Sequence, residues 1–171
     1  MTEWQSDKRW ADRFMDEIKF ILGFYLIGPA NEEEDQFRNT DLVVLKMNAI
    51  RIACRIRRNE FFQKYPNEFT IRAGRPSGAK TELAKIIEGW GDYMFYGFTN
   101  QRETSLEAWI LGDLAAFRGW YTRAVIQNKG QLPGSFHANP DNSSSFFAFD
   151  LHDMPEHFII GAKNTAACPQ Q

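Results

Sequence analysis

The sequence predicts an α/β protein of the α+β kind, one domain with a central mixed sheet. Three observations predict it. From Asp7 to Leu26 the apolar residues Trp10, Phe14, Ile18, Ile21, Leu22 and Tyr25 recur at helical spacing. From Ile50 to Arg57, Ile50, Ile52, Cys54 and Ile56 alternate with Arg51, Ala53, Arg55 and Arg57, the period of a strand with one apolar face. From Asp92 to Phe98 an apolar run that follows Gly89-Trp90-Gly91 has the length and character of a central strand. At 171 residues, with 43% hydrophobic residues and fifteen Phe, the chain is long enough to bury a core without covalent staples.

The first helix covers Asp7 to Leu26, and Gly28-Pro29 ends it. The acidic run Glu32-Glu33-Glu34-Asp35 reads as a solvated loop, because four adjacent carboxylates repel one another. Asp41 to Lys46 reads as a strand, Asn48-Ala49 as a turn, and Ile50 to Arg57 as a second strand pairing back on the first. Phe61, Phe62 and Tyr65 form a short aromatic connection, and Phe69-Thr70-Ile71-Arg72 is a third strand. Gly74-Arg75-Pro76-Ser77-Gly78 is an exposed loop. Thr81 then caps a helix over 82–88 that buries Leu83, Ile86 and Ile87, and Gly89-Trp90-Gly91 closes it before the fourth strand.

The core order is therefore α-β-β-β-α-β over residues 10–98. Beyond it, Ser105 to Gln127 reads as a further helix on the spacing of Leu106, Trp109, Ile110, Leu114, Phe117, Trp120 and Tyr121, with Gly112 and Gly119 interrupting it. A loop over 130–145, a strand over 146–151 and a frayed tail from 162 complete a single domain over 1–171, with the C-terminal addition at 105–161.

The 20 basic and 22 acidic residues nearly cancel, which excludes a protein that binds polyanions by bulk charge. Any such binding comes from a local patch. Cys54 lies in a strand and Cys168 close to the C-terminal end, a poor pair for a disulfide, which points to a reducing compartment and a cytoplasmic protein. The apolar stretch Phe20 to Ile27 is far shorter than a bilayer span, so no membrane partner is expected.

The chain lacks a phosphate-binding GxxxxGK[ST] loop, a GxGxxG turn, HExxH and GxSxG. His152-Asp153 beside Asp150 matches no standard metal spacing and reads as exposed loop. Two constellations remain. The first is the arginine set Arg51, Arg55, Arg57, Arg58, Arg72 and Arg75, either solvated outward residues or an anion site, with nucleic-acid phosphate the leading ligand. Arg75, Ser77 and Lys80 ahead of a helix N-terminus favour phosphate. The second is the carboxylates Glu17, Asp41, Glu82 and Asp92. Together they are candidates to hold Mg²⁺; singly they suit helix-end, turn-capping or solvated roles.

The order α-β-β-β-α-β, with Glu17 on the first helix and Asp41 at a strand start, resembles the PD-(D/E)XK nuclease superfamily over about residues 10 to 98. The resemblance implies Mg²⁺-dependent phosphodiester hydrolysis with Asp41 as a metal ligand and Glu17 as the helix acid. The acid-x-Lys of that pattern is missing, and Ala53-Cys54-Arg55, Arg55-Ile56-Arg57 or Thr70-Ile71-Arg72 stands in its place. Arginine does not ligate a metal and does not shed its proton. The expected metal ligands are then Asp41 and Glu82, the latter as a migrated acid, with Lys85 or Lys80 assisting.

DNA or RNA would be gripped by Arg55, Arg57, Arg72, Arg75 and Lys80. Thr81-Glu82-Leu83-Ala84-Lys85 and Gly89-Trp90-Gly91-Asp92-Tyr93 also look similar to proteins of phages and prophages. The alternative expectation is a non-enzymatic interaction or inhibitor protein that binds a host protein.

Overall fold

The structure, a computed structural model, describes residues 3–29, 42–44 and 50–165. Five helices are described: α1 (Glu3–Asp12), α2 (Met15–Leu26), α3 (Asn59–Lys64), α4 (Glu82–Ile87) and α5 (Leu114–Gln127). The strands are β1 (Ile27–Pro29), β2 (Leu42–Val44), β3 (Ile52–Arg57), β4 (Glu68–Gly74), β5 (Tyr93–Thr99), β6 (Leu106–Asp113), β7 (Ser135–Ala138), β8 (Ser145–Asp150) and β9 (Ile159–Lys163). The α+β class follows from a mixed four-stranded sheet, order β3-β5-β6-β9, and an antiparallel three-stranded sheet, order β4-β8-β7. Among the described strands only β3 and β5 run parallel; β5-β6 and β6-β9 are antiparallel.

Alternation along β5 and β6 gives the larger sheet two apolar faces. Ile56, Phe95, Leu106, Trp109 and Leu111 pack under Phe14, Ile18 and Leu22 of the N-terminal helices. Met94, Tyr96, Phe98, Ala108 and Ile110 face the other way, onto Phe69, Ile71, Phe147 and Phe149 of the smaller sheet and Phe117 of α5. Phe69 is the hub of this second layer, stacked on both Phe149 and Phe158 at 5.4 Å between ring centroids. Arg55 and Arg57, opposite in alternation to Ile56, point toward the smaller sheet from the edge of the larger one.

Several expectations are corrected. The first helix is two, broken at Arg13-Phe14, where Trp10 and Arg13 both reach the turn at Glu103: Trp10 Nε1 donates to Glu103 Oε2 at 2.7 Å and Arg13 Nη2 to Glu103 O at 3.1 Å. Among the described residues β2 pairs with β1, and the strand carrying Arg55 finds its partner in β5, so the 41–57 hairpin is not formed. The third strand belongs to the smaller sheet, paired with β8. Phe61 and Phe62 lie in α3, and Phe62 packs on Phe98 at 5.3 Å.

The helix expected from Ser105 begins only at Leu114, after the buried strand β6. The switch point is Asp113, whose Oδ1 accepts from the N–H groups of Ala115 at 2.6 Å and Ala116 at 3.0 Å and so caps α5. The 130–145 loop contains β7, and the expected tail from 162 overlaps β9, the outer strand of the larger sheet. Asp41, the acidic run 32–35, the 48–49 turn and Cys168 lie outside the described residues. No helix among those described is long and apolar enough to cross a membrane.

Candidate functional site

The two sheets do not meet edge to edge at β3 and β4; arginine side chains span the gap. Arg55 Nη1 donates to the main-chain oxygen of Thr70 at 3.3 Å and to Glu82 Oε2 at 2.8 Å. Arg57 Nη1 donates to Thr70 Oγ1 at 2.9 Å, which in turn lies 3.1 Å from the Tyr96 hydroxyl. The Arg57 guanidinium also lies over the Phe61 ring, 3.9 Å from its centroid. The Arg55 contact satisfies a main-chain oxygen of β4, the edge strand of the smaller sheet.

Above this seam opens a cleft of about 1010 Å³, walled by α1, β3, the β4–α4 loop and the turn at Trp90. Nine basic side chains line it against four acidic ones, although the chain as a whole carries a net charge of −2. Almost half of the 20 lysines and arginines are thus gathered in one depression.

The cations differ in how far they are already engaged. Arg57 is held by Thr70 and Phe61, and burial first, then the nearby Arg55, push it below its ordinary value against the opposing influence of Tyr96. Lys80 is paired with Glu88 at 2.6 Å and Arg58 with Glu103 at 3.3 Å. Among the described residues the Arg72 and Arg75 guanidinium groups and the Lys85 amine find no hydrogen-bond or ion-pair partner, while the main-chain N–H of Arg72 donates to Glu82 Oε2 at 3.2 Å. Burial, then Arg55 and Arg75, push Arg72 below its ordinary value, and Glu82 and Asp7 only partly offset them. Like charges therefore remain incompletely compensated around Arg72.

The structure brings Arg55, Arg57, Arg72, Arg75, Lys80, Glu82 and Lys85 to this one cleft. Glu17 is elsewhere: both of its carboxylate oxygens accept from the Leu106 N–H, at 3.1 and 3.0 Å, at the start of β6. Asp92, a further candidate, accepts from the Arg51 N–H at 2.8 Å and orders the entry to β3. Glu82 Oε2 already takes two donors, one of them cationic, and among the described residues no three His, Cys, Asp or Glu side chains gather in reach of one metal ion. The described carboxylates supply too few of the several oxygen ligands that Mg²⁺ needs, and Glu82 has an arginine beside it. They do not by themselves fit the ion; Asp41, the other expected ligand, lies outside the described residues.

Sequence reasoning missed Trp90 and the Thr70–Tyr96 pair. Thr70 and Tyr96 are 8% and 2% exposed and sit on strands of different sheets, so no local pattern joins them. Trp90 carried a signal in its two glycine neighbours, which place it on a turn. Compared with protein-family models, with curated proteins and with solved structures, the chain finds no match in any of the three.

Proposed function

We propose that the cleft binds nucleic acid through its phosphates, with Arg72 and Arg75 as the principal contacts and Arg55 and Lys85 completing the positive field. The observation that carries this reading is a depression in which nine basic side chains face four acidic ones and the Arg72 and Arg75 guanidinium groups have no hydrogen-bond or ion-pair partner among the described residues. Clustered guanidinium groups repel one another, and a phosphate diester offsets that repulsion while matching the planar fork of each arginine. Electrostatic focusing in a concave surface gives a near-neutral chain a local affinity for polyanions.

Gel-shift and anisotropy measurements with DNA and RNA at two salt concentrations test the reading. Binding should weaken steeply with salt, and Arg72→Ala with Arg75→Ala should abolish most of it. No shift even at low salt would overturn it and favour a protein partner. The hydrolysis implied by the superfamily resemblance is read in the same samples: plasmid and single-stranded DNA are incubated with Mg²⁺ and the wild type, Asp41→Ala or Glu82→Ala, and no cutting, or cutting untouched by both changes, removes it.

A further inference from the structure

We infer that the nucleic acid taken by the cleft is single-stranded, with one unpaired base stacked on Trp90 next to phosphates held by Arg72 and Arg75; this rests on the cleft being a phosphate site. Trp90 lines the same cleft as those arginines and is 61% exposed. Trp109, by contrast, is 6% exposed in the core. A large flat apolar side chain left in solvent amid cations suits a ligand that carries a flat face and a negative charge together.

The indole is held out by its backbone. Gly89 at φ +97° and Gly91 at φ +83° flank it in the left-handed region that favours glycine. Trp90 N donates to Lys85 O at 3.0 Å and Gly89 N to Ile86 O at 3.0 Å, closing the end of α4. On the other side Arg118 Nη1 donates to Gly91 O at 3.2 Å and Asp92 N to Arg51 O at 2.8 Å. Trp90 is thus presented on a turn whose backbone is pinned, so the backbone loses little entropy when a base settles on the indole.

Inorganic phosphate and duplex nucleic acid each meet only half of this chemistry. The first has no base, and the second keeps its bases stacked inside the helix. An unpaired strand offers both halves in one ligand.

Competition anisotropy on the full chain tests the inference, with a short labelled single-stranded oligonucleotide as probe and its duplex, inorganic polyphosphate and a mononucleotide as competitors. The single strand should bind more tightly than the duplex. Trp90→Ala should weaken the strand by about tenfold, the range of one base–aromatic stack, and leave polyphosphate almost unchanged; Trp90→Phe should retain most of the affinity. Because the side chain is exposed, both variants should melt with the wild type, which a thermal scan checks. Equal binding of strand and duplex, unaffected by Trp90→Ala, would overturn the inference while leaving the cleft a phosphate site. Competition by the mononucleotide as strong as by the strand would overturn the claim for a strand. Failure of strand, duplex and polyphosphate alike would overturn the phosphate reading itself.

Discussion

Arg55 and Glu82 meet at 2.8 Å, and through that contact the edge strand of the larger sheet is tied to the first turn of α4. The same Glu82 oxygen takes the Arg72 N–H from the smaller sheet, so a single carboxylate joins three elements. It also places a negative charge where a phosphate would approach.

Glu82→Gln should therefore do two opposite things. Both side chains of the pair are roughly a quarter exposed, between the nearly neutral surface pair and the costly buried one, so stability should fall by about 1–2 kcal/mol. Removing the competing charge should raise polyanion affinity severalfold. Thermal melts and anisotropy titrations on one preparation check both directions, and a variant that binds more weakly would show that Glu82 organises the ligand site.

Arg57 and Arg75 should separate scaffold from ligand contact. Arg57→Ala leaves the Thr70 hydroxyl without its cationic donor and strips the cover from Phe61, and should cost about 2 kcal/mol in urea denaturation. Arg75 is exposed and lacks a partner among the described residues, so Arg75→Ala should change stability by less than about 0.5 kcal/mol. It should instead reduce the slope of log K against log salt by about 1.

Asp150 gives a pH prediction with a definite sign. Its carboxylate accepts from the His152 N–H at 2.8 Å and lies 2.7 Å from His152 Nδ1; the main-chain bond first, and the imidazole with it, hold it below the ordinary carboxylate value of 3.8. The folded chain thus binds fewer protons here than the unfolded one, so this contribution is full above pH 3.8 and is lost as pH falls through the lowered folded value. Wild type should exceed Asp150→Asn in stability near neutrality by less than about 1 kcal/mol, because the side chain is half exposed and screened by solvent. The difference should shrink as the pH is lowered below 3.8, and one that stays constant throughout that descent would exclude this origin.

What was legible in the sequence was local. The alternation from Ile52 to Arg57 put Ile56 into the core and Arg55 and Arg57 on the opposite face, although Cys54, on the apolar side of the pattern, is exposed and the two arginines are half-buried. The Thr81 cap foretold α4, and its hydroxyl accepts from the Ala84 N–H at 3.4 Å. Strand partners were not legible: Cys54 faces Phe95 across 41 residues, a pairing that periodicity does not encode. Nor was β6, since Leu106, Ala108, Trp109, Ile110 and Leu111 are all buried and a strand apolar on both faces carries helical spacings by accident. Arg55, Arg57, Arg72 and Arg75 were legible as a set, but their division into seam and cleft depends on Thr70 and Tyr96 arriving from two sheets.

Gly112 is where that ambiguity has a physical test. In a helix Gly112→Ala would stabilise the chain; in β6 it should destabilise it. A Cβ built at Gly112 lies 2.6 Å from the Phe158 ring, a distance that real contacts do not reach. Phe158 is fully buried, stacked on Phe69 and packed near Phe117, so its ring has no room to retreat. Gly112→Ala should therefore cost about 1–3 kcal/mol through overpacking. Phe158→Leu alone should also destabilise, by leaving a void. Combined, the smaller side chain makes room for the added methyl, and the double variant should lose at least about 1 kcal/mol less than the sum of the single losses. Denaturant melts of the four proteins measure this coupling, and strictly additive losses would mean that Gly112 and Phe158 do not share the contact that ties β6 to the turn before β9.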